Sequence, residues 1–127
     1  MPLKILIADD SNTTLLMEEM LLKKYTNFDV VLARDGQEAV QKALAEQPCL
    51  ILMDVVMPKM NGFAACREMR RQEKLRNVPI ILVTSRGEPD YVESGFECGC
   101  NDYLTKPINC NELIELVKGY LAVEKER

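Results

Sequence analysis

The sequence predicts an α/β domain, a parallel sheet of five strands covered on both faces by helices, and three observations carry that prediction. Short apolar runs alternate with longer segments of helical period from end to end, the pattern of right-handed crossovers in a parallel sheet. The run Leu50-Ile51-Leu52-Met53 is unbroken and bracketed by Pro48 and Pro58. It is too short for an independent helix and reads as a strand buried on both faces. That run stops on Asp54 and is followed by a loop ending in Asn61-Gly62, which sets a carboxylate where open α/β sheets hold their ligands. A helix cap or a solvated loop aspartate is the plainer alternative for Asp54.

The elements follow in order. Leu3 to Ala8 is a strand ending on Asp9-Asp10, and Ser11-Asn12 cap a helix reaching about Tyr25. Thr14, Met17, Leu21, Leu22 and Tyr25 form its expected inward face, with Glu19 and Lys23 paired outside. Leu15, Leu16 and Met20 lie off that face and read as an extension of the core stripe, with an exposed docking surface as the alternative. Val30 to Ala33 is the next strand. Asp35-Gly36 opens a helix whose inward stripe is Val40 and Leu44 with Ala39 and Ala43, and Pro48 stops it. Beyond Gly62, a charged outer helix runs from Phe63 to about Lys74, facing inward through Phe63, Cys66 and Met69. Val78 to Val83 is a buried strand leading to Thr84-Ser85. Glu88-Pro89 opens a poor helix closing at Gly99, and a short strand at Tyr103-Leu104 runs into Lys106-Pro107. Asn109 with Glu112 resembles a capping box for the last helix, striped by Leu113, Leu116, Val117, Tyr120 and Leu121.

At 127 residues, 47% apolar and 28% charged, the chain is one globular domain, residues 1–127, with a core that needs no staples. Sixteen basic against twenty acidic side chains give a net charge of -4, which disfavours direct nucleic-acid binding and a polybasic membrane anchor. With no signal-peptide layout and no membrane-length segment, a cytoplasmic protein is expected. The five cysteines cannot all pair within one chain. They read as reduced packing thiols rather than metal or redox groups, although Cys98-Gly99-Cys100 is a tight pair. The chain has no histidine, so any imidazole chemistry must come from a partner.

In a parallel sheet the strand ends gather at one edge. Asp9-Asp10, Asp54, Thr84-Ser85 and Lys106 therefore converge. Close carboxylates repel by ~4 kcal/mol per pair at an effective dielectric of 20, and Lys106 offsets one negative charge. A hard divalent cation with oxygen ligands, of which Mg²⁺ suits best, supplies the rest; a hydrogen-bonded acidic cluster without metal is the alternative. Without a glycine-rich phosphate cradle or an internal base, the chemistry left is Asp54 as a carboxylate nucleophile toward phosphorus, with Lys106 stabilising charge. Thr84 is placed to hydrogen-bond the new phosphoryl group.

These marks together resemble the receiver domain of two-component response regulators along the whole chain: Asp9-Asp10, Asp54 followed by Met57-Pro58 and Gly62, Thr84-Ser85, and Tyr103-Leu104-Thr105-Lys106-Pro107. The resemblance implies a flavodoxin-like (βα)5 sheet of order 2-1-3-4-5. It implies that Asp54 accepts a phosphoryl group from a phosphohistidine of a sensor histidine kinase or histidine phosphotransfer protein. It further implies Mg²⁺ on Asp10, Asp54 and the Val56 backbone carbonyl, with Asp9 acting mainly through water. Lys106 would pair with the phosphate, the Lys106-Pro107 bond would be cis, and Thr84 with Tyr103 would form the switch toward a downstream protein target. Val56 and Arg86 would tune a slow self-hydrolysis, so the protein is a switch rather than a turnover enzyme. The first helix near Asn12 to Leu16 is the expected kinase-docking surface, and the face around Tyr103 the expected output surface. A phosphate-independent module of the same fold, or a fragment of a longer regulator, is the competing reading. A flavin binder is disfavoured because Asp9-Asp10 stands where a cofactor phosphate would need donors.

Overall fold

Strand β3 (Leu50–Asp54) is buried at every residue, and alternate side chains feed two separate cores. Ile51 and Met53 join one core, Leu50 and Leu52 the other. This two-faced burial is the reason the run is continuous rather than alternating. The computed structural model describes residues 3–85 and 97–125. In it, β1 (Lys4–Ala8) and β3 pair in parallel, β2 (Asp29–Ala33) flanks β1, and β4 (Ile80–Ser85) and β5 (Asp102–Lys106) continue beyond β3. The order is β2-β1-β3-β4-β5, the flavodoxin-like arrangement that the receiver resemblance implies.

Helices α2 (Gly36–Glu46) and α3 (Gly62–Arg71) cover one face through Ala39, Val40, Ala43, Phe63, Ala65, Cys66 and Met69. Helix α1 (Asn12–Tyr25) and the C-terminal helix (Cys110–Lys125) cover the other through Leu15, Leu22, Leu113, Ile114, Val117 and Leu121. The helix starts carry the caps read from the sequence. Ser11 Oγ accepts from Thr14 N–H at 3.3 Å, Asp35 Oδ1 from Glu38 at 2.8 Å, and Asn109 Oδ1 from Glu112 at 3.0 Å. Each such cap contributes about 1 kcal/mol. Asn61 Oδ1 does the same for Ala64 at 2.9 Å.

The rotation of α1 differs from expectation. Leu15, Glu18 and Leu22 face the sheet, while Met17 and Tyr25, assigned inward, are exposed. Leu16 and Met20 stand out at 58% and 63% exposure, so only Leu15 of the off-face residues extends the core. Helix α3 stops at Arg71 and passes into a 3-10 turn, Glu73–Leu75, instead of running to Lys74. There Arg70 Nη1 donates to the carbonyls of Leu75 and Val78, both at 2.8 Å, and fastens the helix end to the turn. Strand β4 extends through Thr84 and Ser85, which pair with Thr105 and Lys106. The Glu88–Gly99 helix lies outside the described residues except for its last turn.

Gly62 sits where no side chain fits. A Cβ there would meet the Asp54 carbonyl oxygen at 2.4 Å and the Val55 Cα at 2.9 Å, while its N–H donates to the Val55 carbonyl at 2.8 Å. Both obstacles are backbone. Gly62→Ala is therefore expected to cost about 1–3 kcal/mol, as overpacking does, and urea unfolding measures it; an unchanged midpoint would contradict this packing.

Candidate functional site

The parallel register sets the site. Ala8 pairs with Met53 and Asp54 with Val83, so Asp9, Asp54 and Thr84 emerge at the same edge. Ser85 pairs with Lys106, which brings the lysine to that edge from β5. One carboxylate oxygen each from Asp9, Asp10 and Asp54 lie within 4.8 Å of one another. Lys106 Nζ donates to Asp54 Oδ2 at 3.0 Å and to Asp9 Oδ2 at 3.3 Å. Asp9 and Asp54 are buried and Asp10 is exposed. Asp9 Oδ1 is further held by the Ser11 N–H at 2.8 Å, at the start of α1.

Burial pushes the Asp54 carboxyl up, and the negative charge of Asp9 adds to this. The Lys106 hydrogen bond and charge pull it back, as does the hydrogen bond donated by the Val56 backbone N–H, without cancelling the rise. For Lys106, burial works against the charged form, but its bonds and charge pairing with Asp54 and then Asp9 outweigh it and raise the ammonium. The lysine is thus cationic and shared between two anions. Three carboxylates against one ammonium leave two excess negative charges in a partly buried cleft. The donors are all hard oxygens, and their mutual spacing suits ligands gathered about 2.1 Å from one small divalent ion. The residues present fit a magnesium-type metal.

Thr84 is buried at this edge. Tyr103 is half-buried on β5, immediately before Leu104 and three residues before Lys106, packed against the α2–α3 core rather than in the acidic cleft, and its phenol hydrogen-bonds the Cys100 thiol. Val56 is 55% exposed beside Asp54. The Lys106-Pro107 bond is cis. Arg86 lies outside the described residues.

One charged group was missed. Glu18 is 1% exposed, on the sheet-facing side of α1, and its Oε1 has no hydrogen-bond partner among the described residues. Burial, then the negative charge of Asp9, push its carboxyl up to about 8 despite the nearby Lys106. The signal was the spacing Leu15, Glu18, Leu22, which is a helical stripe with an acid in its middle.

The model of the response regulator receiver domain matches residues 5–118. The chain belongs to that family. Among similar proteins, the alkaline phosphatase synthesis transcriptional regulatory protein PhoP of Bacillus subtilis is 36% identical over 93% of this chain and 48% of its own length. PilH of Pseudomonas aeruginosa is 35% identical over 94% of this chain and 98% of its own. The chain thus spans about half the length of the first curated relatives it matches and nearly all of PilH. The receiver domain of sensor histidine kinase PA1611 from Pseudomonas aeruginosa superposes with a TM-score of 0.88 at 33% identity, covering 96% of this chain and 99% of that one. That receiver has a magnesium ion coordinated in its active-site cleft. Receivers are signalling switches. Among the described residues no helix is long and apolar enough to cross a membrane.

Proposed function

We propose that residues 1–127 form one receiver domain acting in the cytoplasm as a phosphorylation-driven switch, with Asp54 as the phosphoryl acceptor. The observation that carries this reading is the Lys106 ammonium bonded to both Asp54 and Asp9 within a cluster of three carboxylates. Asp9, Asp10 and Asp54, with the Val56 backbone carbonyl, would hold Mg²⁺, which when bound supplies charge stabilisation for a transferring phosphoryl group. An Asp54 carboxylate oxygen attacks phosphorus, and the bond from phosphorus to the imidazole nitrogen of the partner's phosphohistidine breaks, its electron pair returning to the ring. Lys106 holds a phosphoryl oxygen in ionic contact. Thr84 donates its hydroxyl to another, and Tyr103 follows by turning inward, altering the face that a downstream protein reads. The exposed Leu16, Met17 and Met20 on α1, next to the Asp9–Asp10 loop, support docking of the kinase or phosphotransfer partner there.

Incubation with acetyl phosphate and Mg²⁺ tests the reading. One hydroxylamine-labile phosphoryl group per chain is expected by intact mass, and a protein that takes up none would be a phosphate-independent module instead. Asp10 contributes an exposed carboxylate, so Asp10→Asn should lower magnesium affinity on the order of 100-fold, a loss of ligand charge rather than of fold. Calorimetric titration checks this, and equal affinities would remove Asp10 from the ligand set.

Val56 and Arg86 tune the lifetime of the phosphorylated form. An apolar, exposed Val56 offers attacking water no hydrogen bond. Val56→Asn is expected to speed hydrolysis by roughly tenfold, about 1.4 kcal/mol in the barrier. Unchanged decay in both Val56→Asn and Arg86→Ala would end that assignment.

A further inference from the structure

The end of the sheet remote from the acidic cleft carries a second concavity. Parallel strands that finish at the Asp9, Asp54 and Lys106 edge begin together at the other, where Leu3 precedes β1 and Phe28 precedes β2. There a cavity of about 580 Å³ opens between the end of α1, the loop into β2 and the C-terminal helix. Its apolar lining is Leu3, Phe28 and Leu121 with Tyr25 beside them, and among the described residues Lys24 and Lys118 supply its only charged side chains. Small-molecule sites occupy roughly 300–1,000 Å³ and share this make-up, an apolar floor with a few polar groups.

The loop that walls the cavity is set before any ligand arrives. The Thr26 N–H and hydroxyl donate to the Leu22 carbonyl at 2.8 and 2.6 Å, and the hydroxyl accepts from the Phe28 N–H at 3.4 Å. The Asp29 N–H donates to the Leu3 carbonyl at 2.9 Å and pins Leu3 beside the loop. A preformed wall lowers the ordering cost of binding. Lys4, Lys23, Lys42, Lys59 and Lys106 each pair with a carboxylate, whereas Lys24 and Lys118 pair with none among the described residues. Two unpaired ammonium groups therefore meet at one acid-free cavity in a chain of net charge -4. Lys24 Nζ lies 5.3 Å from the centroid of the Tyr25 ring and occupies a face on which a flat aromatic ligand would stack. What remains open is apolar surface below and positive charge at the rim. Leu3 and Tyr25 are large apolar side chains that the fold leaves exposed, and an occupant would cover them.

We propose that this cavity binds a small amphipathic carboxylate, its aliphatic chain against Leu3, Phe28 and Leu121 and its carboxylate between Lys24 and Lys118. Such a ligand ties the end of α1 to the C-terminal helix and stabilises the fold by mass action. The acidic cleft, with its excess negative charge, repels the same anion. The site is independent of whether Asp54 is the phosphoryl acceptor.

Titration of the isotope-labelled protein with sodium octanoate, kept below its micelle point, tests the proposal by amide NMR. Saturable shifts are expected at Leu3, Tyr25, Asn27, Phe28 and Lys118, with Asp54 and its neighbours unmoved, and the melting temperature should rise with octanoate. Acetate lacks the chain and should bind more than roughly tenfold more weakly. Octanol lacks the charge and should bind on the order of tenfold more weakly than octanoate. Lys24→Gln combined with Lys118→Gln, both at exposed positions, should bring octanoate down to the level of octanol and leave octanol unchanged. Lys24→Arg combined with Lys118→Arg should keep octanoate binding. No saturable shift, shifts centred on the exposed Leu16 and Met20, equal affinity for octanoate and octanol, or undiminished octanoate binding in the double glutamine variant would each overturn the proposal. No cosedimentation with phosphatidylglycerol vesicles is expected; vesicle binding that the double glutamine variant loses would put a membrane lipid in place of the free acid and overturn the site as stated.

Discussion

Asp54→Asn is expected to abolish phosphoryl uptake completely while making the metal-free protein more stable. The two effects share one cause. A carboxylate held nine-tenths or more out of water, beside Asp9, is costly in its charged form, and its raised pKa records that cost. The amide keeps the shape, retains an oxygen for the Lys106 bond, and removes the charge. It also removes the nucleophile, since an amide oxygen at this position cannot form the stable acyl phosphate.

The pH dependence has a definite sign. Because the folded-state pKa of Asp54 lies above its unfolded value, the native state holds the proton longer, so stability falls as pH rises from the unfolded value through the folded one. Asp54→Asn lacks that fall. Intact mass after acetyl phosphate treatment and urea unfolding in EDTA measure the two effects. Residual hydroxylamine-labile label, or a variant less stable than the parent above pH 5, would contradict the assignment.

The second large effect concerns Glu18, whose carboxyl is pushed up to about 8 from 4.5 in the folded protein. Below pH 4.5 the proton is present in both states. Between there and about pH 8 the native state keeps a proton that the unfolded chain releases, so stability declines with rising pH. At pH 7 the accumulated cost is about 3 kcal/mol, at ~1.4 kcal/mol per pH unit. Glu18→Gln should remove this slope. Glu18→Leu should remove it and also match the apolar Leu15 and Leu22 on the same face, raising the melting temperature on the order of 10 °C. Unfolding at pH 5 and pH 8 in EDTA provides the comparison; parent and variants running parallel across that range would show that Glu18 ionises freely in the native state.

The strands and the cleft were legible because burial on both sheet faces leaves an unmistakable apolar run, and the parallel fold then brings every strand end to one edge. Asp9, Asp54 and Lys106 could be placed together from a strand-by-strand reading alone, although Lys106 lies 97 positions from Asp9. The rotation of α1 was not legible. Leu15, Leu16, Met17, Met20, Leu21 and Leu22 surround that helix with apolar side chains, so periodicity offers more than one face, and an interior Glu18 argues against the correct one. The contact of Cys66 with Cys98 was hidden for another reason. Only Gly99 separates Cys98 from Cys100, but Cys66 reaches this turn only when α3 packs beside it, and nothing local in the chain announces that contact. Thr84 and Ser85 were read as following β4 because hydroxyl side chains resemble loop chemistry; their ladder bonds to β5 keep them in the strand.

The dependence of Asp54 phosphorylation on magnesium concentration tests the central claim most directly. If three converging carboxylates and one shared lysine make Asp54 reactive only when a divalent ion balances their charge, the initial rate of labelling by acetyl phosphate should rise and saturate along the same curve as calorimetric magnesium binding, and vanish in EDTA. Labelling that proceeds at the same rate in EDTA, or magnesium binding undiminished by Asp9→Asn combined with Asp10→Asn, would contradict it.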